Sequence, residues 1–207
     1  MVRVKVCGIT NRRDAAMVTE LGAAALGFIF APSPRQVSPE KVREIIADLP
    51  PLVWTIGVFV DEPLSSVCRI MDFCRLDLVQ FHGDEPPEIC REMMPRSIKA
   101  FRVKDESSLV PVEKYTESVN AILLDTYCQG LKGGTGRAFD WSLAIKAKEL
   151  RVPIILSGGL TPSNIAEAVS VVKPWAVDIN SGIEDAPGRK NPDLMKKLME
   201  NIRRVEQ

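Results

Sequence analysis

The chain predicts an α/β protein, and more narrowly a (β/α)8 barrel of the TIM type. The first observation is a set of apolar, β-rich runs at about 2–7, 25–30, 53–60, 77–81, 97–103, 119–125, 152–157 and 175–180. The second is helical spacing between them, over 11–22, 39–48, 63–74, 86–94, roughly 105–115, 139–150, 162–172 and 191–205. The third is that polar residues and glycines gather directly after the strands, at one end of such a barrel. Eight strand–helix pairs in 207 residues imply one domain, 1–207, at the compact end of the barrel size range. A doubly wound open sheet is the alternative, and it usually needs fewer strands.

Strand 1 sets the pattern. In Val2-Arg3-Val4-Lys5-Val6-Cys7 the valines share one face, while Arg3, Lys5 and Cys7 share the other. Gly8 breaks the strand, and Asn11 is a good N-cap with Asp14 in the following turn. Later helices open on Ser38-Pro39, Thr161-Pro162 and Asn191-Pro192, where a capping residue precedes a proline at the first helical position. In the last strand the same parity turns Val177 and Ile179 to the helices and Ala176, Asp178 and Asn180 to the lumen or its mouth. Strand 8 of a closed barrel pairs with strand 1, so Asp178 is the expected partner of Lys5; a buried lysine needs one. Parity likewise groups Gln80 with His82 and Leu123 with Asp125.

Composition excludes several classes. Twenty-seven basic and 27 acidic residues give zero formal charge, which removes the electrostatic case for a nucleic-acid binder. The 45% apolar and 26% charged fractions are those of a soluble globular protein. No apolar run reaches membrane-helix length, and no signal-peptide core opens the chain, so a cytoplasmic protein is expected. The five cysteines, at 7, 68, 74, 90 and 128, form no CxxC pair and no zinc spacing, and there is a single histidine. A reducing compartment follows. Cys68, Cys74 and Cys90 fall on helices and are expected to pack.

The candidate site is read from the strand ends. Gly158-Gly159 after strand 7 and Ser181-Gly182 after strand 8 occupy the positions where barrels bind phosphate through backbone N–H groups. Between strand 6 and its helix, Gly133-Gly134-Thr135-Gly136 is not a P-loop, and its place after Asp125 suggests a lid. The next helix lies too far on for Asp125 to cap it. A carboxyl partly desolvated at the mouth holds its proton and can donate it. Cys7 alone reads as a small buried hydrophobe, but Lys5 and the helix start beside it would favour thiolate and make it a base or nucleophile. Arg35 suits a second anionic group, and His82 reads as a hydrogen-bonding wall.

These motifs together resemble the phosphoribosylanthranilate isomerase family. The matching stretches are Lys5-Val-Cys-Gly-Ile-Thr10, Gly27-Phe-Ile-Phe30 with Ser33-Pro-Arg35, Gly57-Val-Phe-Val60 and Gln80-Phe-His-Gly83. Leu123-Leu-Asp125, Gly133-Gly-Thr-Gly136, Phe139-Asp-Trp141, Ser157-Gly-Gly-Leu160, Val177-Asp-Ile-Asn-Ser-Gly-Ile-Glu184 and Pro187-Gly-Arg-Lys190 complete the set. The resemblance implies a cofactor-free Amadori rearrangement of a small-molecule substrate, phosphoribosylanthranilate. It implies Asp125 as acid, Cys7 as base, Arg35 on the anthranilate carboxylate, Asp178 on a ribose hydroxyl and His82 along the pocket. The Gly158-Gly159 and Ser181-Gly182 backbone would cradle the phosphate. Two positions depart from the family pattern: Asn180, where a serine-like residue is expected, and Asn191, where aspartate is common. A two-substrate isomerase is disfavoured by Cys7 and by the lack of a half-repeat; a non-catalytic sugar-phosphate binder is disfavoured by the presence of both Cys7 and Asp125. Oligomeric state is not legible.

Overall fold

In the computed structural model, which describes residues 2–126 and 141–206, eight parallel strands close into a barrel in the order β1 to β8. They are β1 (Arg3–Val6), β2 (Ala25–Ile29), β3 (Trp54–Phe59), β4 (Leu78–Phe81), β5 (Ser97–Val103), β6 (Ala121–Thr126), β7 (Ile154–Ser157) and β8 (Ala176–Ile179). The helices are α1 (Arg12–Glu20), α2 (Pro39–Ile46), α3 (Leu64–Cys74), α4 (Pro87–Glu92), α5 (Ser142–Ala147), α6 (Ile165–Val172) and α7 (Pro192–Val205).

Strand parity divides the interior into two cores. Ile56, Ile98, Ala100, Ala121, Leu123, Ile155 and Ala176 fill the lumen. Val4, Val6, Leu26, Phe28, Val177 and Ile179 point the other way, into the layer between barrel and helices. Helix α7 shows the outer layer's logic. Met195, Leu198, Met199 and Ile202 recur at helical spacing and are all buried, each worth roughly 1.5–3 kcal/mol by area. Asn11, Ser38 and Asn191 cap their helices as expected, each accepting a backbone N–H three residues on.

Three elements differ from the sequence expectation. The segment Glu106–Tyr115 is a 3-10 helix, because Pro111 inside it has no N–H to sustain an α-helical ladder. Helix α6 starts at Ile165 rather than at the Thr161-Pro162 signal. Asn164 accepts the Thr161 N–H at 2.8 Å and donates to the Gly159 carbonyl at 2.9 Å, which holds the preceding residues in a turn. A short antiparallel hairpin, β9 (Glu184–Ala186) with β10 (Arg189–Lys190), was not anticipated. It is tied to the start of α1, since the Lys190 N–H donates to Asp14 at 2.8 Å and Thr10 donates to the Gly188 carbonyl at 2.6 Å.

Candidate active site

At the C-terminal mouth the pairing of β1 with β8 sets Lys5 opposite Asp178, and the ammonium lies 2.9 Å from the carboxylate with both side chains buried. The expected pair is present. Burial acts to lower the Lys5 pKa, but Asp178, with Cys7 behind it, outweighs burial and holds the ammonium above its ordinary value. Cys7 follows on the same face, 4% exposed. Gly27 makes the room: a Cβ there would sit 2.8 Å from the Cys7 Sγ and 3.2 Å from the Lys5 Cε. The expectation of a favoured thiolate is corrected. Burial pushes the Cys7 thiol up, Lys5 and Lys190 pull it down, Asp178 adds to the rise, and the net shift is upward. Full desolvation of the sulfur outweighs its cations.

Arg35 arrives from the loop after β2 and is gripped by Glu184. Its Nε donates at 3.0 and 3.1 Å, and an Nη donates at 2.6 Å. The Glu184 side chain, 3% exposed, also accepts from the Lys190 Nζ at 2.8 Å and from the Gly188 N–H at 3.2 Å. Burial would raise the Glu184 pKa, but the two cations hold it below the usual carboxylate range. Lys190 shifts downward because burial outweighs Glu184. Asn180, the departure in the phosphate loop, turns its amide oxygen to the Lys190 Nζ at 3.1 Å. Gly8, at φ +72°, lets this group close over the first turn; a Cβ there would meet Arg35 and Asn180 at 2.7 Å.

Across the mouth, Gln80 on β4 donates to the Nδ1 of His82 at 2.9 Å, and the His82 Nε2 lies 3.7 Å from an Asp125 oxygen. Asp125, near the end of β6, is 33% exposed. A third buried ion pair holds the loop that carries His82. Lys99 donates to Glu85 at 2.7 Å and to the Gly83 carbonyl at 2.6 Å, and Glu85 accepts the backbone N–H groups of Asp61 and Gly83.

The phosphate-type loops meet at the ends of β7 and β8. Gly158 and Gly159 adopt φ of 89° and 60°, and a Cβ on Gly159 would enter open space. Ser181-Gly182 begin a single 3-10 turn pressed against the other loop, where a Cβ on Gly182 would lie 1.9 Å from the Leu160 carbonyl. Gly133, Gly134, Thr135 and Gly136, with Cys128, lie outside the described residues. A cavity of about 690 Å³ at the ends of β2 and β3 is lined by Phe30, Pro32, Val37 and Phe59 and by none of the candidate residues.

Sequence reasoning missed Glu184, Lys190 and the Lys99–Glu85 pair. Lys99 carried a signal, a lone lysine within the apolar strand Ser97-Ile-Lys-Ala-Phe101. Glu184 and Lys190 lie in the hairpin, where barrel parity does not reach.

Fold and mouth define a (β/α)8 barrel of the phosphate-binding type, with titratable side chains gathered above its lumen. Residues 4–201 match the family model described as N-(5'-phosphoribosyl)anthranilate (PRA) isomerase. The chain belongs to that family. It is 54% identical, over the full length of both chains, to the N-(5'-phosphoribosyl)anthranilate isomerase of Geobacter metallireducens. The crystal structure of phosphoribosyl anthranilate isomerase from Thermotoga maritima superposes with a TM-score of 0.91 at 44% identity, covering 98% of this chain and 99% of that one. A phosphoribosyl anthranilate isomerase structure in complex with reduced 1-(o-carboxyphenylamino)-1-deoxyribulose 5-phosphate matches at 0.88 and 42%, with the same coverage.

Proposed function

We propose that this chain, acting as one domain spanning 1–207, isomerises N-(5'-phosphoribosyl)anthranilate to 1-(2-carboxyphenylamino)-1-deoxyribulose 5-phosphate in tryptophan biosynthesis. The observation that carries the reading is Cys7 and Asp125 at the ends of β1 and β6, in a chain whose family identity extends from residue 4 to 201. Asp125 protonates the ribose ring oxygen, the C1–O bond breaks, and the nitrogen lone pair completes an iminium. Cys7 as thiolate then removes the C2 proton, and the electrons move into an enolamine. C1 takes up a proton as the C2 hydroxyl loses one, and the ketone results; protons gained and lost are equal.

Arg35 holds the anthranilate carboxylate. Glu184 occupies its Nε edge, which leaves Nη donors for a second carboxylate. Asp178 takes a ribose hydroxyl, and the backbone of Gly158, Gly159, Ser181 and Gly182 takes the phosphate. Every step uses side chains alone, so the reaction runs without a cofactor. A cytoplasmic location is supported by free Cys7, Cys68, Cys74 and Cys90. No helix among the described residues is long and apolar enough to cross a membrane.

Anthranilate fluorescence tests the function. Substrate generated in situ should lose its signal when the protein is added in chelator-containing buffer. A protein that binds the reduced product analogue without turning substrate over would contradict it.

A further inference from the structure

Gln80 is a buried polar residue that the mechanism above does not use. It stands on the lumen face of β4 at 1% exposure, beside the Ile, Leu and Ala side chains of the lumen core, and pairs in register with Ile98 of β5. Its amide oxygen is buried with no partner among the described residues. An orphaned acceptor of that kind is destabilising, and a leucine of similar size would remove the penalty. The amide N–H is the part that is used, because it points at the Nδ1 of His82 from 2.9 Å.

We propose that Gln80 is a positioning residue that fixes the tautomer of His82, so that the Nε2–H of the imidazole faces Asp125. An amide nitrogen only donates, so Nδ1 must accept and the ring proton must sit on Nε2. That nitrogen lies 3.7 Å from the Asp125 Oδ2. Such a distance is typical of a catalytic contact before substrate arrives and shortens as charge develops. The inference rests on Asp125 being the acid. When Asp125 gives its proton to the ring oxygen it becomes a carboxylate, and the waiting Nε2–H donates to the new charge. The opposite tautomer would present a lone pair to that charge. Asp125 and His82 are 33% and 22% exposed, so the contact is partly desolvated where the carboxylate forms.

His82 is the only histidine in the chain, so its ring nitrogens can be read directly from the spectrum of protein labelled with 15N-histidine. At a pH where the ring is neutral, the wild type should show the proton on Nε2 with no substrate present. Gln80→Glu, whose carboxylate accepts from Nδ1–H, should reverse the tautomer. It should also lower kcat on the order of tenfold to a hundredfold with KM unchanged, as expected for one lost hydrogen bond to a charged group. Gln80→Leu should lower kcat similarly while melting no lower than wild type; a merely structural glutamine would lose both together. Adding either change to His82→Ala should cause no further loss. A wild-type proton on Nδ1, or full turnover in both Gln80 variants, overturns the proposal. A protein without turnover contradicts the proposed function, whereas a wrong tautomer contradicts only this inference.

Discussion

On the β1–β8 side of the mouth, the side chains of Lys5, Asp178, Glu184 and Lys190 are at most 6% exposed, and each touches an opposite charge. On the β4–β6 side, Asp125 and His82 remain 33% and 22% exposed and 3.7 Å apart. The difference fits the roles proposed for the two halves. Removing a proton from carbon calls for a thiolate, which Lys5 and Lys190 favour at Cys7 against the burial that raises the thiol. Protonating a ring oxygen calls for an acid that can regain its proton each turnover, which partial exposure permits. On one side buried opposite charges clamp the polar groups that surround Cys7; on the other Asp125 stands partly exposed beside His82, and the buried Lys99–Glu85 pair only holds the adjoining loop.

Breaking either half at its centre should have the largest effect. Cys7→Ala and Asp125→Asn should each reduce kcat by about 10²–10⁴-fold with affinity for inorganic phosphate intact, as measured by steady-state kinetics and phosphate titration. Near-full turnover in either variant would remove its assigned role. Asp178→Asn strands Lys5 without its counter-charge and should lower unfolding free energy by about 3–5 kcal/mol in a urea titration. His82→Ala, on the open side, should stay within about 1 kcal/mol of wild type. Equal losses would erase the contrast.

The pH profile sharpens the comparison. Cys7 is displaced upward, chiefly by burial, and the proposed base is its deprotonated form. The rise of kcat/KM with pH should therefore lie above the ordinary thiol value of about 8.5. A limb near neutrality would show that the cations prevail. Asn180→Ser should likewise cost no more than about 1 kcal/mol through the lost side-chain contact to Lys190, with phosphate affinity unchanged in the same titrations.

Much of the site was legible because a barrel converts strand parity into position. Lys5 with Asp178, and Gln80 with His82, followed from alternation and from the closure of strand 8 on strand 1. Glu184 and Lys190 were not legible as a pair, since a hairpin outside the barrel brings them to Arg35. The direction of the Cys7 shift was also hidden. Sequence shows the lysine beside the thiol but not the complete burial that outweighs it. The late start of α6 has a similar origin, in an asparagine bridging a glycine turn that local capping rules do not capture.

The division of labour is tested most directly by single-turnover kinetics on substrate deuterated at the ribose C2. In Cys7→Ser, with its weaker base, C2 proton removal should limit the rate and a primary isotope effect should be seen. In Asp125→Asn, ring opening should limit and the isotope effect should vanish. An isotope effect of equal size in both variants, or the reverse pattern, would contradict the assignment of acid and base to opposite sides of the mouth.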